Sequence, residues 1–162
     1  MYKATAAFIK ARQVHCSSKL KVVECTMVGG GKPNSCYNNS YEYAAKHRGE
    51  SIMVSGWLIY EYDKNNTSDI IQHWWNANID KRYIDTDPDQ NKTKNKAEYV
   101  VDLDLWDYIK REDKNLTSHV ASSLIMTGKK IDIAQPDGAG FIIRTPINNI
   151  TTDVLFRNVR KM

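Results

Sequence analysis

Ser51-Ile52-Met53-Val54-Ser55-Gly56-Trp57-Leu58-Ile59-Tyr60-Glu61-Tyr62 is the stretch whose reading decides the fold. Ile52, Val54, Gly56, Leu58 and Tyr60 alternate with Met53, Trp57 and Ile59, and the side chains of a strand alternate between its two faces. Its β-branched and aromatic residues suit a pleated surface, so a strand is predicted over 51–62. The polar run Asp63-Lys64-Asn65-Asn66-Thr67-Ser68 predicts a hairpin loop. Asp69 to Ile79, which contains Ile70-Ile71-Gln72-His73-Trp74-Trp75-Asn76, is the paired strand. Asp80-Lys81 predicts a tight turn and Arg82 to Thr86 a third strand, so residues 50–87 form an antiparallel meander.

Upstream of the meander, Cys36 to His47 has helical spacing, with Cys36, Ser40, Tyr43, Ala44 and His47 on one face. Ser35 is the expected N-cap, and Arg48-Gly49 ends the helix with glycine in its usual place. The expected fold class is α+β, with an N-terminal helix carrying Cys36 packed on an antiparallel sheet. Gly29-Gly30-Gly31 breaks a strand expected over Leu20 to Val28. Pro33 follows Lys32 where a phosphate-binding loop needs Ser or Thr opening a helix, which speaks against that motif.

At 162 residues the chain is long enough for one domain with a real core, and a single domain over 1–162 is expected. Hydrophobic content of 41% and charged content of 26% are ordinary for a globular protein. No apolar run reaches the roughly 20 residues of a membrane-spanning helix. The segment Met1 to Lys10 lacks the apolar core of a signal peptide, so a cytoplasmic location without membrane association is expected. Cys16, Cys25 and Cys36, an odd number, argue for free thiols rather than a disulfide framework. The net charge of +4 is spread among acidic residues, and Lys92, Lys94 and Lys96 read as a solvated loop rather than a nucleic-acid surface.

Outside the meander the pattern is weaker. Residues 4–15 fit a helix by their alanines, or a strand near Val14 to Cys16. Tyr99 to Leu105 predicts a strand and Trp106 to Arg111 a helical turn. Leu116 to Thr127 has helical spacing, with Val120, Leu124 and Ile125 on one side. Gln135-Pro136-Asp137-Gly138 predicts a turn, and Phe141 to Arg144 and Val154 to Val159 short strands.

The chemistry-bearing residues follow an informative order. A thiol opens a helix, a histidine lies mid-strand, and an aspartate lies on the next strand. That is the order of a nucleophile, its base and the group that orients the base. The partial positive charge of a helix N-terminus and a nearby imidazolium both favour the thiolate at Cys36. Pairing about Asp80-Lys81 puts residues summing to about 161 opposite each other, so His73 faces position 88 and Asp85 faces Asn76. Asp85 is then near His73 but not beside it, and Asp87 is a rival orienter.

Each residue also has a bland reading. A cysteine at a helix start is commonly a small buried residue, a strand histidine is commonly structural, and Asp85-Thr86-Asp87-Pro88 can be a turn bonded by its own side chains. Cys36, His73 and Asp85 are all zinc-ligand types, but no pair has the short spacing of zinc sites. Neither a metal nor a cofactor is expected.

Taken together, Ser35-Cys36, Ser55-Gly56-Trp57-Leu58-Ile59, Gln72-His73-Trp74-Trp75-Asn76 and Tyr83-Ile84-Asp85-Thr86-Asp87-Pro88 resemble the transglutaminase-like branch of the papain-like cysteine enzymes. The resemblance covers about residues 33–90, the candidate catalytic core. It implies a thiol helix packed on an antiparallel sheet, with Cys36 as nucleophile, His73 as base and Asp85 as orienter. Lys32-Pro33-Asn34-Ser35 departs from the glycine or helical lead found in many members. That leaves the oxyanion donors open: the Cys36 N–H is the first, and Gln72 or Trp57 are candidates for the second. The activity implied is acyl transfer or hydrolysis at an amide or ester carbonyl of a protein or peptide. The superfamily includes members without catalysis, so the alternative is a binding module whose Trp57, Trp74 and Trp75 line a peptide or ligand groove.

Overall fold

The computed structural model describes residues 1–62, 66–88, 96–112, 123–134 and 142–156. Among these the chain is a mixed α+β structure with four α-helices and a nine-stranded sheet. The predicted hairpin is its centre. Strand β3, Ser51–Tyr62, pairs antiparallel with β4, Thr67–Asn78, from Ser51 opposite Asn78 to Tyr62 opposite Thr67. The second strand therefore begins two residues earlier than expected, and Ile79 lies outside it.

The other strands are β1 (Lys21–Val23), β2 (Cys25–Met27), β5 (Tyr83–Asp85), β6 (Glu98–Val101), β7 (Leu124–Thr127), β8 (Lys130–Ala134) and β9 (Ile142–Pro146). The main path is β1-β6-β3-β4-β7-β8-β9, with β5 paired to both β4 and β2. All pairings are antiparallel except β2 with β5. Leu20 to Val28 is thus two strands, not one: the exposed Glu24 separates them, and they pair with different neighbours. Because only Glu24 joins β1 to β2, the path β1-β6-β3-β4-β5-β2 is tied at its two ends, and the sheet curls.

That curl divides the interior in two. Val54, Leu58, Tyr60, Trp75, Tyr99 and Val101 form a core inside the curl, with Val23, Cys25 and Met27 against it. Trp57, Ile59, Ile70, Trp74, Val100 and Leu124 face a larger core covered by helices. Helix α1, Lys3–Gln13, puts Phe8 edge-on to Trp57 at a ring separation of 5.5 Å. The ambiguous residues 4–15 are therefore mostly helix. The thiol helix, Cys36–Lys46, is α2 and the second in the chain, a correction to its expected N-terminal place.

Three further expectations change. Leu124 and Ile125 are in strand β7, where buried and exposed residues alternate with period two; Gly128, at φ 60°, turns the chain into β8. The part of that expected helix over 116–122 lies outside the described residues. Helix α3, Leu103–Glu112, extends the expected turn at 106–111 in both directions. Val154 lies in α4, Thr152–Phe156, rather than in a strand, because Thr151 caps this helix: the Val154 N–H donates to its Oγ1 at 3.2 Å. The turn at 135–138, the end of the strand expected over 154–159 and nearly all of the Lys-rich loop also lie outside the described residues. No helix among the described residues is long and apolar enough to cross a membrane.

A buried ion pair fastens α1 to the sheet. Arg12 Nε donates to Asp102 Oδ2 at 2.9 Å, and both side chains are fully buried. The Trp57 indole N–H donates to the same oxygen at 2.9 Å, and Arg12 also reaches the Ile150 carbonyl and Thr152 Oγ1.

Gly56 is the tightest point of the sheet. It lies opposite His73 on one side and Val101 on the other. A Cβ there would sit 2.0 Å from the Val100 carbonyl oxygen and 2.5 Å from Trp75 Cη2. Neither backbone of a central ladder nor a packed indole can yield cheaply. Gly56→Ala is expected to lower unfolding free energy by about 3 kcal/mol and the Tm by roughly 6 °C or more, read by thermal denaturation.

Candidate active site

The start of α2 is set by the loop before it. Asn39 accepts the Lys32 N–H at 2.9 Å and donates to the Lys32 carbonyl at 2.8 Å. The Gly31 N–H donates to the Thr86 carbonyl at 2.9 Å. A Cβ at Gly31 would lie 2.5 Å from both the Asn39 side chain and that carbonyl oxygen, so only glycine permits the approach. The glycine run thus pins the thiol helix to the residue that follows Asp85. Further along, Asn76 Nδ2 donates to the Ser40 carbonyl at 2.9 Å, and Tyr37 packs edge-on to Trp74 at 5.1 Å.

Ser35 stands at the N-cap position, but its hydroxyl donates to the Pro33 carbonyl and does not cap the helix. The first backbone bond of the helix runs from the Asn39 N–H to the Ser35 carbonyl. The N–H groups of Cys36, Tyr37 and Asn38 therefore have no acceptor within the helix, and they concentrate partial positive charge beside the thiol. Cys36 itself is half-buried.

The structure brings Cys36, His73 and Asp85 together. His73 is 3% exposed, and its Nε2 lies 2.8 Å from Asp85 Oδ2. The Cys36 thiol faces the same imidazole and strengthens its hold on a proton. Beside His73 the edge of β4 is interrupted: its ladder with β7 stops at Ile70, and its ladder with β5 begins at Asn76. In the observed register Asn76 faces Ile84 and Ala77 faces Tyr83. Extended along the strands, it places Asp87 opposite His73 and Trp75 opposite Asp85. Asp85 nevertheless makes the contact, diagonally on the shared face. Asp87 contributes its backbone instead, with its N–H donating to Asp85 Oδ1 at 2.9 Å.

Burial disfavours a charged imidazole, but the hydrogen bonds to Asp85 and Cys36 and the charges of both outweigh it. His73 is raised from 6.5 to about 9. Cys16 is a useful contrast. Burial and the Asp102 carboxylate push its thiol up to about 12, so it stays protonated. All three cysteines are free. No group of three His, Cys, Asp or Glu side chains among the described residues is arranged to hold a metal ion.

Sequence reasoning missed Tyr99. Its hydroxyl donates to Asp85 Oδ2 at 2.7 Å and contacts Met27 Sδ at 3.3 Å. No local motif marks it: the residue reaches the site because Tyr99 pairs opposite Leu58, which in turn lies opposite Ile71, two positions along β4 from His73. Burial and Asp85 push its phenol far above the ordinary tyrosine value, so it is a donor. Two other expectations are corrected. The Trp57 indole N–H is committed to Asp102 and unavailable to an oxyanion. Trp57, Trp74 and Trp75 are at most 1% exposed, so they build core instead of lining an open groove.

No protein-family model matches the chain, no curated protein matches it, and no solved structure matches it.

The His73 shift links the site to stability. The folded protein binds the imidazole proton more tightly than the unfolded chain does. Its contribution is complete below the unfolded value of 6.5 and is lost as pH rises through about 9. Denaturant unfolding is therefore expected to show stability falling between about pH 6.5 and 9, and His73→Gln is expected to flatten that fall. An equal decline in the variant would contradict the assignment.

Proposed function

We propose that this protein is a thiol enzyme that transfers or hydrolyses acyl groups at an amide or ester carbonyl, with a protein or peptide as substrate. The observation that carries this reading is the buried His73 imidazole held between the Asp85 carboxylate and the Cys36 thiol. Membership of the transglutaminase-like branch is part of the proposal and rests on the motifs in 33–90.

With Nε2 held by Asp85, Nδ1 is the nitrogen left for the thiol. His73 takes the thiol proton, and the Cys36 sulfur attacks the carbonyl carbon. The uncapped N–H groups at the start of α2 supply donors for the developing oxyanion. As the tetrahedral intermediate collapses, His73 gives its proton to the leaving amine or alcohol. A thioester on Cys36 remains, and His73 next activates water or an amine to release the acyl group. Asp85 fixes the ring orientation and supports the imidazolium throughout.

Ester hydrolysis tests this directly. With p-nitrophenyl acetate, a burst of one nitrophenol per chain is expected, followed by slower turnover. Cys36→Ala is expected to abolish the burst and His73→Ala to slow it by about a thousandfold. Asp85→Asn is expected to lower kcat by about a thousandfold or more. A burst that survives Cys36→Ala would overturn the proposal.

A further inference from the structure

We propose that Tyr99 is a positioning residue of this site, its hydroxyl clamping the Asp85 oxygen that holds the His73 ring and tempering the charge on that oxygen. The inference rests on the acyl-transfer reading for its kinetic consequence, but the clamp itself is a matter of geometry.

Asp85 Oδ2 accepts from both Tyr99 Oη at 2.7 Å and His73 Nε2 at 2.8 Å. A hydroxyl has one proton to give, and the carboxylate is a far stronger acceptor than the Met27 thioether, so the proton points at Asp85. Asp85 Oδ1 is meanwhile held by the Asp87 N–H. The two oxygens are thus anchored from different elements: one by the backbone just after β5, the other by a side chain from β6. The Tyr99 ring is fixed in turn, edge-on to Trp75 at 5.2 Å and edge-on to His73 at 6.3 Å. This anchoring explains why Asp85 reaches His73 although Asp87 has the directly opposite position.

The clamp has an electrostatic consequence. A donor on Oδ2 spreads the negative charge that would otherwise fall wholly on the His73 N–H. Removing it makes the carboxylate a stronger partner for the imidazolium but a looser one. The groups that face this pair are Cys36 from α2, Asp87 after β5, Cys25 from β2 and Tyr60 from β3, the last two acting on Tyr99.

Tyr99→Phe keeps the ring and deletes the hydroxyl. The His73 ring titration, followed by NMR, is expected to move upward by about half a unit. On p-nitrophenyl acetate, kcat is expected to fall about tenfold at unchanged KM, with the acid limb of its pH profile shifted upward. Difluorotyrosine placed at 99, a stronger donor of nearly the same shape, is expected to move the His73 titration downward, and it serves where the phenylalanine variant does not fold. A His73 titration unmoved by either substitution would show that Tyr99 only fills space and would overturn the clamp. If the ester assay shows no Cys36-dependent turnover in the wild type, the acyl-transfer reading fails, while the His73 titration still decides the clamp.

Discussion

Asp85 is a carboxylate removed from water, and a buried charge persists only where donors surround it. The curled sheet supplies them from His73 on β4, Tyr99 on β6 and the Asp87 backbone, with β2 running parallel alongside. Much of the fold converges on this requirement. The link through Glu24 brings β2 against β5, the Gly31 approach to Thr86 ties the thiol helix to the same segment, and Gly56 lets the ladder opposite His73 stay flat against Val100.

Asp102 shows what the same problem looks like when it is solved for stability alone. Its partner is the fully buried Arg12 guanidinium, and its neighbouring thiol, Cys16, is held protonated. Breaking that pair would leave a buried charge unmatched, a loss of about 3–5 kcal/mol. Asp85 is partnered instead by a histidine, a group able to give and take a proton, with the Cys36 thiol on its far side. One carboxylate locks a helix to a sheet; the other holds an imidazole that has a thiol beside it.

The central meander was legible because its signals are local: a period of two, a polar loop and a tight turn. Helix α2 was legible from its spacing and from Gly49, which takes φ 82° at its end. What the sequence hid depends on distant pairing. Nothing near Leu124 distinguishes a strand end from a helical face until β8 folds back on it. Nothing near Val154 announces the Thr151 cap over competing β-branched residues. At the site, Cys36, His73 and Asp85 could be named from their order, but the register favours Asp87 and the anchoring that brings Asp85 to His73 comes from distant residues, since Tyr99 arrives from a strand whose neighbour is fixed only in three dimensions. The tryptophans misled because an indole beside a histidine reads equally well as a groove wall and as core.

The account stands or falls on the coupling between the thiol and the imidazole. Titrating the His73 ring by NMR in the wild type and in Cys36→Ala measures it without any substrate. The account predicts a wild-type value near 9 that drops clearly when the sulfur is removed, because the hydrogen bond and the charge of Cys36 both hold the proton on the ring. A His73 titration that is the same with and without the thiol would contradict it.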